Sequence, residues 1–185
     1  MANEKKLDCV ILGLLSHEDL TGYEIKRRID TALNFFWTAS FGSIYPTLKE
    51  LVRNGLAIKS EMSSERNKIR YTITEHGRRH LKDWLEIPVE KDELRYETLL
   101  KLFFADNADE ETAITHIENF EAKIHAGLSY LTSAVKVLEN ISDGDRTHQY
   151  YLLTARFGVK TYEAYLEWCD EAKAVLKIKD RENVN

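Results

Sequence analysis

The chain has 185 residues, a net charge of −5, 43% apolar and 31% charged residues, and two prolines. These values exclude a disordered or collagen-like chain and allow one or two small domains, each with its own core. Cys9 and Cys169 fit no disulfide framework, metal-ligand or redox spacing, and the apolar run Val10 to Leu15 is too short to cross a membrane. With no signal-peptide cleavage pattern after that run, the expectation is a reduced, cytoplasmic protein with no membrane contact.

The charge is uneven. Residues 1–84 carry 14 Lys and Arg against 11 Asp and Glu, and residues 85–185 carry 12 against 20. A basic half followed by an acidic half suggests a contact domain for an anionic partner and a separate remainder.

In chain order, Leu7, Val10, Ile11, Leu14 and Leu15 repeat at helical spacing and predict a first helix. Thr21 and Glu24 form a capping-box pair for a second, with Ile25, Ile29, Ala32 and Leu33 as its buried stripe. The aromatic stretch "NFFWTAS" is expected to be extended. In "FGSIYPTLKELVRNGL", Ser43 is a suitable N-cap and Gly55 a suitable C′ residue. Ile44, Leu48, Leu51 and Val52 share the inner face. With Ser43 as cap, Pro46 is the third helical residue and its missing N–H removes no ladder bond.

Leu56, Ile58 and Met62, then Ile69, Tyr71 and Ile73, alternate on either side of the polar turn "SSERNK". This pattern predicts a β-hairpin with a basic tip. Thr74 caps a further helix carrying Leu81, Trp84 and Leu85. Three short helices and a hairpin make a winged helix, a relative of the helix-turn-helix whose third helix enters the major groove. Pro88 and the local charge mark a boundary, dividing a winged-helix DNA-binding domain, residues 1–86, from a helical domain, residues 87–185. In the second part Leu94, Leu99, Leu100, Leu102, Phe103 and Phe104 predict one apolar helix. Ile114, Ile117, Phe120, Ile124, Leu128, Leu131, Val135 and Leu138 approximate a heptad seam. A last helix from about Thr147 to Leu176 presents Tyr151, Gly158, Tyr162, Tyr165, Cys169, Ala172 and Leu176 on one face. So much apolar surface implies a second copy of the chain. The fold class is therefore mainly α: a winged helix-turn-helix followed by a long-helix dimerisation domain.

"TGYEI", "SIYPTLKELVRNGL" and "RYTITEHGRRHLKDWL" resemble the PadR family of bacterial transcriptional regulators, and "ARFGVKTYEAYLEW" is similar to a motif of its long-tailed branch. The resemblance implies a homodimeric winged-helix repressor. It also implies a small aromatic effector such as a phenolic acid, which releases a dyad-symmetric operator of double-stranded DNA.

DNA recognition needs cations for phosphates and hydrogen-bonding groups for base edges. Ser43 and Tyr45 suit phosphate; Thr47 and Lys49 suit base edges; Arg53 lies further along the same face. Arg66, Asn67, Lys68 and Arg70 suit phosphate or minor-groove contact from the hairpin, and Tyr23 and Lys26 the DNA backbone. An aromatic acid wants apolar walls, a stacking ring and a cation; Trp37, Trp84, His148, Tyr151, Arg156, Tyr162 and Trp168 are the candidates. No glycine-rich phosphate loop or nucleophile motif is present, so no enzyme and no cofactor are expected. His76 and His80 are spaced i, i+4 but have no third metal ligand near them in sequence, and read as a surface pair. Competing readings are a repressor responding to bulky drugs or to no ligand, and a winged-helix adaptor binding another protein.

Overall fold

The computed structural model describes residues 4–61, 69–89, 92, 95–141 and 144–182, and the chain divides into two compact units, Met1–Asp92 and Glu93–Asn185.

Among its described residues the first unit is a winged helix of four α-helices, α1 Glu4–Leu15, α2 Gly22–Arg28, α3 Phe41–Arg53 and α4 Glu75–Glu86, with three short strands. The strands β1 Leu20–Thr21, β2 Ala57–Glu61 and β3 Ile69–Ile73 form an antiparallel sheet in the order β1-β3-β2. Leu7, Ile11, Leu12 and Leu15 of α1 are buried against Ile25, Ile29, Ile44, Leu48 and Leu51 in one apolar core. Eight of these aliphatic side chains are fully buried and contribute about 1.5–3 kcal/mol each, so this core is what holds α3 in place.

α2 begins as its sequence dictates. Thr21 Oγ1 accepts from the Glu24 amide at 3.2 Å, and the Glu24 carboxylate accepts from the Thr21 amide at 2.8 Å. Beyond Arg28 the helix widens into a π-helical turn, Ile29–Leu33. This wider turn rotates each residue less about the axis. Leu33 still reaches the core, whereas Ala32, expected in the buried stripe, turns to solvent. Nor is all of "NFFWTAS" extended. The Phe36 and Trp37 amides both donate to the Leu33 carbonyl, at 3.0 and 2.7 Å, so its first half is a turn continuing the helix.

α3 starts three residues earlier than the Ser43 cap predicts. Ser40 is the N-cap: its Oγ accepts from the Ser43 amide and Ser43 Oγ accepts from the Ser40 amide, both at 3.2 Å. Ser43 is thus the third helical residue and Pro46 the sixth. Pro46 does remove a ladder bond, the one its N–H would have made to Gly42. The reciprocal serine cap and the burial of Ile44, Leu48 and Leu51 hold the helix across that gap. Gly55, at φ +68°, ends it in the left-handed conformation.

β2 lies one residue out of the expected phase. Ala57 pairs with Ile73 and is buried, while Ile58 pairs with Thr72 and is 57% exposed. Leu56 misleads because it precedes the strand: its amide bonds to the Leu51 carbonyl at 2.9 Å, so it is buried by the turn after α3. Met62 lies outside the described residues. Thr74 locks α4 to that same turn. Its Oγ1 accepts from the Gly77 amide at 3.0 Å and donates to the Gly55 carbonyl at 2.7 Å. Leu81 packs on the core, Trp84 is half-buried, and Leu85 is exposed.

The second unit holds α5 Glu97–Phe103, a 3-10 turn Ala105–Asn107, α6 Glu110–Glu139 and α7 Arg146–Glu182. Leu94 lies outside the described residues. α6 and α7 pair along their length. Ile117, Ile124 and Leu131 of the heptad seam are buried, facing Ala155, Gly158 and Cys169 of α7. Glu121 accepts from Lys173 Nζ at 2.7 Å with both oxygens. Glu139 takes Arg156 at 2.7 Å. Tyr151, expected on the inner face, is exposed, and Ala155 is the first buried residue of α7. Leu99, Leu100, Phe103 and Phe104 are also exposed in the single chain. Among the described residues no helix is long and apolar enough to cross a membrane.

Candidate nucleic-acid interface

The outer face of α3 is built around three stacked rings. Tyr23 of α2 stacks on Phe41 with centroids 6.5 Å apart and planes 14° from parallel. Phe41 stacks on Tyr45 at 6.1 Å and 21°. The rings are 65%, 43% and 49% exposed. A solvent-facing aromatic ladder is a poor use of apolar surface in a monomer and a good one where a ligand will cover it.

Tyr45 both packs and faces out. Its ring lies over the backbone of Gly22, where an added Cβ would meet Tyr45 Cε1 at 2.6 Å. Its hydroxyl lies near Tyr71, whose own hydroxyl is pushed above its ordinary value by burial and, to a lesser degree, by Tyr45. Gly22 therefore seats the ring and the sheet lies behind its tip. The phenol is left half-exposed at the N-terminal end of α3.

Further along the face, Thr47 Oγ1 donates to the Ser43 carbonyl at 2.8 Å, which leaves the hydroxyl oxygen able to accept. Lys49 is exposed and, among the described residues, has no ion-pair partner. A lysine in that state can donate to a guanine edge without first breaking a protein contact. Arg53 lies beside Glu50 at 3.2 Å, an exposed pair of small worth in solvent. Lys26 pairs with Asp30 and sits 5.7 Å from the Phe41 centroid, so it steadies the ladder as well as adding charge. Ser43 is engaged with Ser40 in the cap.

Arg70, expected to suit phosphate or minor-groove contact, stands in β3 at the base of the hairpin. Its guanidinium donates to the Asp19 carbonyl and lies 3.7 Å from Glu24, which anchors the base of the wing to β1 and α2. Arg66, Asn67 and Lys68 lie outside the described residues. Phe41 was missed by sequence reasoning. Taking Ser40 as cap would have found it, because Phe41 and Tyr45 then share a face at i, i+4.

The expected effector residues are divided between the two units, and those of the second unit are spread along α7. Trp37 packs on the core of the first unit with its Nε1 buried and, among the described residues, without a hydrogen-bond partner. Trp84 is half-buried on α4. In the second unit His148 and Tyr151 pair at 6.5 Å, and Arg156 is engaged by Glu139. Tyr162 and Trp168 join a cluster with Tyr96, Phe120 and Tyr165. At 1.5 Å per residue, His148 and Trp168 are roughly 30 Å apart along α7, far more than one aromatic acid spans. Tyr96 and Tyr165 bond hydroxyl to hydroxyl. That pair had no sequence signal, because the two residues are 69 positions apart.

Comparison with known proteins places this geometry in a family. Residues 11–83 match the transcriptional regulator PadR-like family, and residues 94–177 match the virulence activator alpha C-terminal domain. The chain is 30% identical over 173 residues to the negative transcriptional regulator PadR of Bacillus subtilis, covering 87% of this chain and 93% of that one. The same relative has been solved in complex with operator DNA: 28% identity, TM-score 0.71, 92% of this chain and 98% of that one. It has also been solved with p-coumaric acid: 27% identity, TM-score 0.65, 94% and 97%. The PadR-like regulator BC1756 of Bacillus cereus is similar at 29% identity and TM-score 0.74, with 93% and 98% covered. The chain belongs to the PadR family of transcriptional regulators.

Proposed function

We propose that the chain is a homodimeric repressor whose two α3 helices enter successive major grooves of a dyad-symmetric operator. The observation that carries this reading is the outer face of α3, with Tyr45 seated on Gly22 and Lys49 unpaired among the described residues. Tyr45 and Tyr23 contact phosphate and sugar, and Thr47 and Lys49 read base edges. Arg66, Asn67 and Lys68 add phosphate contacts from the wing. Support for the DNA partner comes from the Bacillus subtilis relative solved with operator DNA. The exposed apolar face of α5 and the long α6–α7 pair support the homodimer, since they leave more apolar surface than a monomer normally shows.

A small aromatic acid releases the operator in this reading, supported by the relative solved with p-coumaric acid. The acid must bind one arrangement of the dimer more tightly than the other; occupancy without that difference shifts nothing. The test is a fluorescence-anisotropy titration of duplexes from the chain's own upstream region, with and without hydroxycinnamates. The reading predicts salt-dependent binding that the acid reverses. Binding that no acid alters would remove the effector and leave the DNA role standing.

A further inference from the structure

His80 of α4 meets two residues of α1. The reactive atoms of Asp8, Cys9 and His80 lie within 4.8 Å of one another. The sequence supplies no third ligand near His76 and His80; the fold supplies two by packing α1 against α4. Asp8 Oδ1 accepts from the Cys9 amide at 2.8 Å, which orients the carboxylate and leaves Oδ2 directed at His80. Oδ2 and His80 Nε2 are 3.6 Å apart. That is too long for a hydrogen bond. It suits two ligands of one tetrahedral cation, whose bond lengths of about 2.0–2.3 Å place ligand atoms roughly 3.3–3.8 Å apart.

We propose that Asp8, Cys9 and His80 form a binding site for a zinc-class divalent cation that ties α4 to α1. The donor set of one thiol, one imidazole and one carboxylate favours zinc over magnesium or calcium, which take oxygen ligands. Cys9 is buried and closes the inner side, while the Asp8 and His80 side chains are 33% and 42% exposed and give the ion a path in. Water takes the fourth position. On uptake the Cys9 thiol forms the sulfur–metal bond and its proton leaves to solvent. Because α1 also packs on α3, the cation braces the helix behind the recognition helix.

Titration of the full chain with cobalt(II), a spectroscopic stand-in for zinc, tests the site. One ion per chain is expected, with a thiolate-to-cobalt charge-transfer band. Cys9→Ser abolishes the band. His80→Ala weakens uptake by at least the roughly 10- to 100-fold that losing even an outer-shell partner costs. His76→Ala and Cys169→Ser leave it unchanged. His80 is partly exposed, so its variant decides the matter even if Cys9→Ser does not fold. Absence of the thiolate band in the wild-type chain overturns the proposal. So does uptake that survives His80→Ala, or uptake through the surface pair that falls with His76→Ala.

Discussion

Tyr45 occupies the space that a side chain at Gly22 would need: a Cβ there would lie 2.6 Å from Cε1 and 2.9 Å from Cζ of the ring. Glycine at the first position of α2 is thus a condition for where the α3 phenol stands. Gly22→Ala must displace the ring or the helix. The expected cost is about 1–3 kcal/mol of stability, typical of overpacking, read from urea unfolding. Operator affinity should fall with it. In a Tyr45→Ala background the same substitution should cost nothing sterically. Equal losses in both backgrounds would contradict the assigned contact.

Thr74 joins α4 to the turn after α3 through two bonds of one hydroxyl. Thr74→Ala removes the cap and leaves the Gly55 carbonyl without that donor. A loss of about 1–2 kcal/mol is expected, as for other N-cap truncations. Thr74→Ser keeps both bonds and should recover most of it. Unfolding curves of the three proteins at unchanged denaturant slope provide the check.

Gly127 of α6 is the close-approach point of the long pair, since a Cβ there would lie 2.4 Å from Tyr162 Cε2. Alanine is the better helix former by about 1 kcal/mol, yet Gly127→Ala should destabilise because the clash outweighs that gain. With Tyr162→Ala present the clash is gone and Gly127→Ala should stabilise. A double-mutant cycle therefore predicts a change of sign.

The second unit should lose stability in alkali. Burial raises the Tyr96 hydroxyl, helped by its bond to Tyr165; burial likewise raises Tyr162. The hydrogen bond that Lys173 donates to Glu121 raises the lysine. A group with a raised folded pKa contributes stability that is intact below its unfolded value and declines as pH rises above it. The window therefore opens near pH 10, the ordinary range of tyrosine and lysine. Tyr96→Phe should flatten the decline in urea midpoint above that pH. An unchanged alkaline slope would argue against the buried tyrosine pair as its cause.

Much of the fold was legible because local signals and the core agreed. The Thr21–Glu24 capping box, the Thr74 cap, the Gly55 terminator and the inner stripe of α3 are all short-range patterns that tertiary packing reinforces. Misreadings occurred where two signals competed. Ser43 and Ser40 are both capping residues, and only the reciprocal bonds decide which is the cap. Leu56 set a false phase for β2 because it is buried by the preceding turn. Ala32 lies in a π turn that no residue type announces. For the interface, the charged and polar residues of α3 could be picked out from spacing, but Phe41 could not be found with the cap misplaced. Contacts distant in sequence left no trace at all: Tyr96 with Tyr165, Arg70 with Asp19, and His80 with Asp8 and Cys9.

Recognition of DNA by the outer face of α3 is the central claim, and one titration tests it most directly. A labelled duplex from the upstream region is bound at several salt concentrations by the wild-type chain, by Lys49→Ala and by the combined Lys49, Arg66 and Lys68 to Ala variant, which leaves the Arg70 anchor of the wing intact. The account predicts that Lys49→Ala narrows the gap between operator and scrambled duplex by about 1–3 kcal/mol, and that the combined variant binds weakly with a shallower salt slope. Undiminished affinity and an unchanged salt slope in the combined variant would contradict it.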